Sequence, residues 1–355
     1  MPPPINLAGY SLKELEGLLA GWGHPPFRAR QLVKWLYQKG EADFARMTDL
    51  SREFRRELEE RARISRLALK RRDAAPDGTE KFLFRLEDGQ AIESVLIPEA
   101  GRLTLCLSTQ VGCSQGCSFC LTGVEGFSRN LRPEEILGQI LAARALLPEG
   151  LRLTNLVFMG MGEPLANLPA LLQALTVITA PWGLGFSPRR ITVATAGLAP
   201  LIPRLGEALP VNLTVSLNAP DDATRSRLMP LNRRYPLKTL LAACRAYPLP
   251  RHRRITFAYV MLAGINDAPE QARALAQLLK GFKAKINLIP FNPLPRLNFA
   301  PPSPERVLKF QDILRQAHYS VFIRESRGQE IAAACGQLAG EVRRRKPAPA
   351  RRAGA

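Results

Sequence analysis

Three cysteines within eight residues are the part of the sequence best suited to chemistry. They are Cys113, Cys117 and Cys120, in the stretch Cys-Ser-Gln-Gly-Cys-Ser-Phe-Cys. Three thiolates at this spacing can hold three irons of a four-iron cluster and leave the fourth iron open to a small molecule. Zinc is the main alternative, but structural zinc takes four ligands, and only Cys106 lies near enough in sequence to complete the set. A redox disulfide is a further, weaker alternative.

Glycine and polar residues at the ends of predicted strands form a second group of candidates. Gly160-Met161-Gly162-Glu163-Pro164 follows the run NLVFMG. Glycine there lets a ligand approach the backbone, and Glu163 can accept a hydrogen bond from an ammonium group. Two further strands lead into candidates of the same kind, which are Ser216, Leu217, Asn218 and Asn292. Each signal is weak alone, because strand-to-helix turns often carry such residues for structural reasons.

These candidates must be positioned by a series of strands and helices that begins near residue 103. The predicted strands are LTLCLST, NLVFMG, RITVATA, VNLTVSLN, RITFAYVML and AKINLIPF, with SVFIRES as a further one. The helices between them include PEEILGQILAARALL, LPALLQALTVIT, LKTLLAACRAY and PEQARALAQLLKG. Repeated βα units require parallel strands, in a doubly wound sheet or a barrel. Function is then expected at the carboxyl ends of the strands.

The segment before this series predicts a small, basic helical module and a β-hairpin. Apolar residues repeat at helical spacing at Leu12, Leu15, Leu18 and Leu19, and FRARQLVKWLYQKG and LSREFRRELEERARI follow. EKFLFRLEDGQAIESVLIP has two alternating runs around Asp88-Gly89, a dipeptide typical of a tight hairpin turn. We therefore expect a helical domain over 1–75, a hairpin connector over 76–100, a barrel core over 101–340 and a basic disordered tail over 341–355.

Composition and charge narrow the class of protein. Fifty Lys and Arg against 31 Asp and Glu give a formal charge of +19, which favours nucleic acid or an anionic membrane surface as partner. No run of about 18 apolar residues occurs and no secretory signal is recognisable, so we expect a cytoplasmic protein without a membrane span. Six cysteines in that compartment indicate metal ligands or reactive thiols rather than disulfides. Only three histidines occur, far apart in sequence, so chemistry by clustered histidines is excluded.

Together these stretches resemble the RlmN family of rRNA adenine methyltransferases, within the radical S-adenosylmethionine superfamily. The resemblance covers nearly the whole chain and is carried by VGCSQGCSFCLTG, EGFSRNL, INLIPFNPLP and ESRGQEIAAACGQLAG. It implies an α/β fold: a partial parallel (βα)6-type radical SAM barrel with a small N-terminal helical domain and a connecting β-hairpin. It also implies one 4Fe-4S cluster on Cys113, Cys117 and Cys120. S-adenosylmethionine, two molecules per turnover, would be bound by Gly162, Glu163, Ser216, Leu217, Asn218 and Asn292.

The reaction implied by the resemblance is methylation of C2 of adenosine 2503 in 23S rRNA. Cys335 would first carry the methyl group, whose radical form then attacks the adenine ring. Cys106 would resolve the resulting protein–RNA adduct by forming a transient disulfide with Cys335, and Glu93 would be the acceptor of the ring proton. Without the resemblance, Cys106 and Cys335 would be read as small core residues and Glu93 as a solvated strand carboxylate. Cys244 shares an apolar helical face with three leucines and is expected to pack in the core.

Two positions depart from the family pattern. The family usually has Ser-Leu-His-Ala where this chain has Ser216-Leu217-Asn218-Ala219, so a carboxamide replaces an imidazole. It also commonly has Ser-Thr-Ser-Gly where this chain has Ala194-Thr195-Ala196-Gly197, so a serine hydroxyl is absent at Ala194. Neither departure touches the five cysteines, and both bear on cofactor affinity rather than on reaction type.

Alternatives remain open at this level. A Cfr-type enzyme would methylate C8 of the same adenosine, and a non-catalytic iron–sulfur RNA-binding protein would share the cluster. The sequence also leaves open whether adenosine 37 of tRNA is a second substrate. We expect a monomer that receives electrons from a donor such as flavodoxin or ferredoxin. Phosphate contacts are expected from the basic helical module, whose cations include Arg28, Arg30, Lys34 and Lys39 beside Trp35 and Tyr37.

Overall fold

The N-terminal segment is helical, as predicted, in the computed structural model, which describes residues 3–250 and 252–339. Its elements are β1 (Ile5–Asn6), α1 (Leu12–Ala20), α2 (Phe27–Val33), α3 (Arg52–Arg61) and β2 (Ala62–Arg63), which pairs in parallel with β1. Ser11 and Ser51 begin α1 and α3, each accepting a hydrogen bond from a backbone N–H of the first turn. Trp35 and Tyr37 are buried in the core of this segment. The tail predicted for residues 341–355 lies outside the described residues.

An antiparallel arrangement of strands follows, and it begins earlier than predicted. Strand β3 (Ala68–Ala74) pairs with β4 (Glu80–Arg85), which pairs with β5 (Ala91–Glu99) and through it with β6 (Arg102–Cys106). The turn between β4 and β5 contains Gly89 at φ +81°, so the predicted hairpin is confirmed. Extending the helical segment to residue 75 was wrong. The strand β3 escaped prediction because it is an edge strand, exposed along nearly its whole length, and carries charges instead of an apolar alternation.

The rest of the chain alternates strands and helices. The elements are β7 (Gln110–Gly112), α4 (Leu121–Glu125), β8 (Phe127–Asn130), α5 (Pro133–Leu146), β9 (Asn155–Phe158), α6 (Leu168–Thr179), β10 (Ile191–Thr195), α7 (Ile202–Ala208), β11 (Asn212–Ser216), α8 (Asp222–Leu228), α9 (Leu237–Ala246), β12 (Ile255–Met261), α10 (Pro269–Leu278), β13 (Ala284–Pro290), α11 (Pro304–Gln316) and β14 (Ser320–Ile323). The named strands and helices of the sequence analysis are confirmed. Apolar periodicity did not identify α7, α8, α11 or the short pair β7–β8.

One ten-stranded sheet organises these elements, in the order β14-β13-β12-β11-β10-β9-β6-β5-β4-β3. The strands from β6 through β9 to β14 pair in parallel, so the predicted parallel α/β architecture is confirmed. Because parallel strands end at the same edge of a sheet, the carboxyl ends of β6, β9, β10, β11 and β13 lie together. The cysteine loop and the cofactor candidates of the sequence analysis follow these ends, whereas Glu93 lies within β5 and Cys335 lies in the segment after β14.

A single hydrophobic cluster runs through both the N-terminal helices and the parallel sheet. Hydrogen bonds reinforce the contact: Arg144 donates to the carbonyl of Tyr37, and Gln173 donates to that of Gly9. The N-terminal segment and the barrel therefore share one core. None of the helices described is long and apolar enough to cross a membrane.

Candidate active site

The cysteine loop is held at both ends by the backbone. The strands β7 and β8 pair in antiparallel fashion on either side of it, and the N–H of Cys113 donates to the carbonyl of Gly126 at 2.9 Å. Cys120 donates from its N–H to the carbonyl of Cys117 at 3.2 Å and stands immediately before α4. Gly112 has φ +75°, and a Cβ there would lie 1.9 Å from the carbonyl oxygen of Gly126. Only glycine permits this close approach of the two strands.

The three thiols of the loop influence one another. Burial raises the pKa of Cys113 to about 12 and also raises the pKa of Cys117 and Cys120. The negative charge of a neighbouring thiolate adds to this effect, since Cys120 raises the pKa of both Cys113 and Cys117. Partly buried thiols with high pKa values become thiolates when a metal centre supplies compensating positive charge. The donor set therefore fits a cluster.

A single zinc ion and a four-iron cluster require different spacings of their donor atoms. Within residues 3–250 and 252–339, no group of three or more His, Cys, Asp or Glu side chains converges closely enough to hold one ion. Tetrahedral zinc requires all its ligands within about 2.3 Å of one point. A four-iron cluster does not, because each iron takes its own thiolate.

The C-terminal segment brings Cys335 to this loop. The N–H of Leu121 donates to the carbonyl of Gly336 at 2.8 Å, and the Thr122 hydroxyl donates to the carbonyl of Leu338. Cys335 is solvent-accessible, but desolvation by the protein around it raises the pKa of its thiol, and the charge of Cys120 adds to the effect. The thiols of Cys335 and Cys120, which are distant in sequence, thus lie close enough to interact electrostatically.

Cys106 is the last residue of β6. Its side chain is buried, and this burial raises the pKa of the thiol to about 12, with the charge of Cys335 as the second cause. The charge of one cysteine named for the transient disulfide therefore acts on the other, and both are free thiols in this structure. Cys244 packs in the core on α9, as expected.

Glu93 is buried on β5, so it is not a solvated strand carboxylate. Lys81, on the neighbouring strand β4, places its Nζ 3.2 Å from Glu93 Oε1, and both side chains are less than a tenth exposed. The backbone N–H of Ala339 donates to Glu93 Oε2 at 2.9 Å. Lys81 also donates to the carbonyl of Ala332 at 3.3 Å. The proposed proton acceptor is thus tied on two sides to the segment that carries Cys335.

Glu163 follows β9 in sequence, and its carboxylate accepts hydrogen bonds from two backbone N–H groups. Its Oε2 accepts from the N–H of Ala196 at 2.6 Å and its Oε1 from that of Leu165 at 3.0 Å. Burial raises the pKa of this carboxyl group to about 7. The charge of Glu163 also reaches Cys113 and Cys117, which places it beside the cysteine loop.

Gly162 has a structural explanation in this fold. Its φ is +98°, and a Cβ there would lie 2.5 Å from the Cβ of Gln110 on β7. Gln110 in turn accepts from the N–H of Glu163 at 2.9 Å through its Oε1. Glycine is therefore needed for the contact between the β9 turn and β7, and a cofactor contact at Gly162 stays a prediction.

The remaining cofactor candidates differ in their burial and in the hydrogen bonds that they already make within the protein. Leu217 is buried, its N–H donates to Ala258 and its carbonyl accepts from Arg225. Asn218, at φ +59°, donates to the sulfur of Met229 and accepts from the N–H of Val260. Ser216 is half-buried at the end of β11.

Asn292 differs from these candidates in its hydrogen bonding. It is 4% exposed and follows β13 at the same edge of the sheet. Its carboxamide makes no hydrogen bond to any residue that the structure describes. The carboxamide of Asn218, in contrast, is engaged by Met229 and Val260, and a cofactor contact through Asn292 stays a prediction.

Sequence reasoning missed Arg225. The side chain is completely buried, and it donates to the carbonyls of Leu217, Ala196 and Ser216 and to the Asn232 side chain. Burial lowers its pKa to about 10, and the charge of Cys117 acts in the opposite direction. It therefore connects the ends of β10 and β11 beside the cysteine loop. The signal was its helical spacing from Leu228 and Met229, which put a cation on an apolar face.

Lys81 was also missed as part of the site. The strand β4 is buried over Lys81–Phe84. Lys81 therefore occupies a buried position, where a strand normally has an apolar side chain. A charged side chain in a buried strand requires a partner. That requirement was a usable signal, but the identity of the partner was not readable from β4 alone.

Known proteins share both parts of this chain. The model of the ribosomal RNA large subunit methyltransferase N-terminal domain matches residues 5–64, and that of the radical SAM superfamily matches residues 107–276. A dual-specificity RNA methyltransferase RlmN from Syntrophobacter fumaroxidans is 52% identical over 338 residues, covering 95% of this chain and 99% of that protein. Its counterpart from Geobacter sulfurreducens is 51% identical over 350 residues, covering 99% and 96%. The crystal structure of a radical SAM methyltransferase from Sphaerobacter thermophilus has a TM-score of 0.91 and 46% identity, covering 95% of this chain and 100% of that one.

Proposed function

Because the chain belongs to the RlmN family of dual-specificity RNA methyltransferases, which are radical SAM enzymes, we propose that it methylates C2 of adenosine 2503 in 23S rRNA through an S-methyl group on Cys335. The second substrate in this proposal is adenosine 37 of tRNA, since the relatives are named for dual specificity. The observation that carries the proposal is the position of Cys335, whose thiol is electrostatically coupled to both Cys120 and Cys106.

The residues proposed to hold the cofactors lie at one edge of the sheet. Cys113, Cys117 and Cys120 would bind the 4Fe-4S cluster, and Glu163 and Asn292 would contact S-adenosylmethionine. When bound, these groups supply the electron and the carbon radical needed for attack at an adenine carbon that is not nucleophilic. The protein's own contribution is to orient the base toward Cys335 and to exclude water.

Two cysteines carry the covalent part of the proposal. The methyl carbon would pass from the sulfonium of one S-adenosylmethionine to the Cys335 sulfur, which would lose its proton as S-adenosylhomocysteine leaves. The second S-adenosylmethionine would supply the radical that removes one hydrogen atom from this S-methyl group. The carbon would then bond to C2 of the adenine ring, giving a covalent protein–RNA adduct that returns one electron to the cluster.

Once Glu93 has taken the ring proton, the Cys106 thiolate would form an S–S bond with Cys335 as the bond between sulfur and carbon breaks. The electron pair of that bond would go to the carbon, which gains a proton and leaves as the methyl group of the base. The disulfide requires two electrons before the next turnover. The coupling of the two thiols supports this assignment.

Glu93 is proposed to remove the ring proton. Its carboxylate is buried beside Lys81 and accepts a hydrogen bond from the segment that carries Cys335, so protein groups rather than water hold it in place. The C-terminal segment, which bonds to Glu93 through the N–H of Ala339, must shift for a base to reach this oxygen. We further propose a cytoplasmic monomer that receives its electrons from a flavodoxin or a ferredoxin.

Substitution of the two cysteines tests this function. Cys335→Ala should assemble the cluster but transfer no methyl group, because the side chain has no sulfur. Cys106→Ala should accumulate a covalent adduct through Cys335, because no thiol remains to resolve it. The measurements are the iron content, denaturing gels of protein with RNA, and mass spectrometry of the nucleosides after reaction.

Cys244→Ala is the matched control, since this cysteine is buried in the core on α9. It should retain methylation. Mass spectrometry that places the methyl group on C8 would replace the C2 assignment with the Cfr-type reaction. A protein that binds iron and RNA but leaves S-adenosylmethionine intact would be a non-catalytic iron–sulfur RNA-binding protein.

A further inference from the structure

Two exposed apolar side chains stand beside the cysteine loop. Val124, on α4, is 45% exposed, and Phe127, the first residue of β8, is 48% exposed. Neither packs against the hydrophobic clusters formed by the described residues, and no ring or cation is stacked on Phe127 there. We refer to residues 124–127 as the lip. An exposed aromatic residue next to a reactive site is characteristic of a binding surface.

The lip is attached directly to the cysteine loop. The N–H of Val124 donates to the carbonyl of Cys120 at 3.0 Å, and that of Cys113 donates to the carbonyl of Gly126 at 2.9 Å. Leu121, at the start of the same helix, donates to the carbonyl of Gly336, next to Cys335. A base that reaches Cys335 therefore passes close to the lip.

Neighbouring contacts fix the backbone of the lip. Phe127 is paired with Gly112 of β7, and Glu125 forms an ion pair with Arg296 at 2.5 Å. Two residues further on, Arg129 donates to Asp88 in the β4–β5 turn at 2.7 Å. The backbone beneath Phe127 is thus fixed before a ligand arrives, which lowers the entropy cost of binding.

We propose that Phe127, with Val124 beside it, stacks against an unpaired RNA base adjacent to the target adenosine. The inference rests on the proposed action on RNA but not on methylation at C2. A base leaving its stack loses the contacts of both faces, and an aromatic ring can replace one of them. The formal charge of +19 favours a polyanion, and the lip borders the path to Cys335. An electron-donor protein also has to approach the cluster, but only the substrate base has to reach Cys335.

The test compares Phe127→Ala with Phe322→Ala, both in otherwise intact, cluster-loaded protein. Phe322 is also 48% exposed, but it lies on β14 at the far end of the sheet. The probe is protein-free 23S rRNA transcribed in vitro, and affinity is measured by filter binding without turnover. Phe127→Ala should bind roughly tenfold more weakly, since stacking of one base on an aromatic ring contributes on that scale. Phe322→Ala should bind like the wild type.

A tryptophan at the same position gives a second readout. Phe127→Trp should retain affinity, and its additional fluorescence should be quenched by the RNA, whereas that of Phe322→Trp should not change. Equal RNA affinity for Phe127→Ala and wild type would overturn the proposal. So would slower cluster reduction by flavodoxin at unchanged RNA affinity, because the lip would then be a donor-docking surface. If the RNA result holds and the methyl group is found on C8, the lip assignment stands and the C2 proposal fails.

Discussion

Lys81 and Glu93 form a buried ion pair at the centre of the proposed chemistry. Their charged atoms are 3.2 Å apart, and solvent scarcely reaches either side chain. Removing one member of such a pair leaves the other charge buried without compensation, typically at a cost of about 3–5 kcal/mol. Without the Lys81 ammonium group, the Glu93 carboxylate would lose the cation that holds it in place on β5, where we propose that it accepts the ring proton.

We therefore expect Lys81→Met to slow methylation on the order of a hundredfold, the lower range for a positioned acid or base. Because ring-proton removal would be affected, the covalent adduct with Cys335 should accumulate in this variant even though Cys106 is present. Denaturing gels of reaction time courses measure the adduct directly.

Lys81→Arg is the matched control, because it keeps the positive charge beside Glu93. It should restore most of the rate and prevent the accumulation of adduct. Iron content and near-ultraviolet circular dichroism report whether each variant folds. A folded Lys81→Met enzyme that turns over at the wild-type rate would remove Lys81 from any role in positioning Glu93.

At the scale of secondary structure, α8 has one turn that faces the barrel edge. Arg225 extends from it to the carbonyls of Ala196, after β10, and of Ser216 and Leu217, at the end of β11. The same helix carries Arg227 on its exposed side, only two residues further on. One helix thus presents one arginine to the interior and one to solvent.

Arg225→Met should destabilise the protein by about 3 kcal/mol, because several buried carbonyls lose their donor at once. Arg227→Met should change the free energy of unfolding by no more than about 0.5 kcal/mol, as is usual for exposed positions. Chemical denaturation followed by circular dichroism compares the two variants.

A conservative variant separates charge from geometry at this position. Arg225→Lys keeps a cation but cannot reach several carbonyls at once, so it should recover only part of the lost stability. Equal stability of Arg225→Met and Arg227→Met would show that the carbonyls at the strand ends find other donors or water.

The whole molecule is held together by a core that the N-terminal helices share with the barrel. Deleting residues 1–70, a direct test of RNA binding by the helical module, would therefore also expose part of the barrel core. Charge substitutions on the module avoid this difficulty. Arg30, Lys34 and Lys39 are exposed there, with the Lys39 ammonium 3.2 Å from the centre of the Trp35 ring.

The combined substitution of Arg30, Lys34 and Lys39 by Gln should weaken binding of 23S rRNA. The slope of log affinity against log salt concentration should fall by roughly 0.7–0.9 for each phosphate contact removed. Filter binding across a salt series measures both quantities.

The control removes the same amount of charge elsewhere. Lys280, Lys283 and Lys285 are exposed near α10 and β13, close to the opposite end of the sheet from β3. Their substitution by Gln should leave the salt slope unchanged. Equal effects of the two sets would mean that overall charge, rather than the N-terminal module, attracts the RNA.

Local pattern was sufficient for much of this protein. The parallel strands β6 and β9 to β14 and most of the long helices follow from apolar periodicity, which depends only on residues close together in sequence. The cysteine spacing similarly identified the loop of Cys113, Cys117 and Cys120. The edge strand β3 was missed because neither of its faces is buried, so no alternation was required.

Contacts between distant segments could be decided only by the tertiary structure. The order of the strands in the sheet brings Lys81 beside Glu93, and the return of the C-terminal segment brings Cys335 to Cys106 and Cys120. The sequence reports the spacing of side chains along one element, whereas the partner of a buried charge or thiol depends on how the elements pack. For this reason five cysteines and a glutamate could be named from sequence, but the buried cations Lys81 and Arg225 could not.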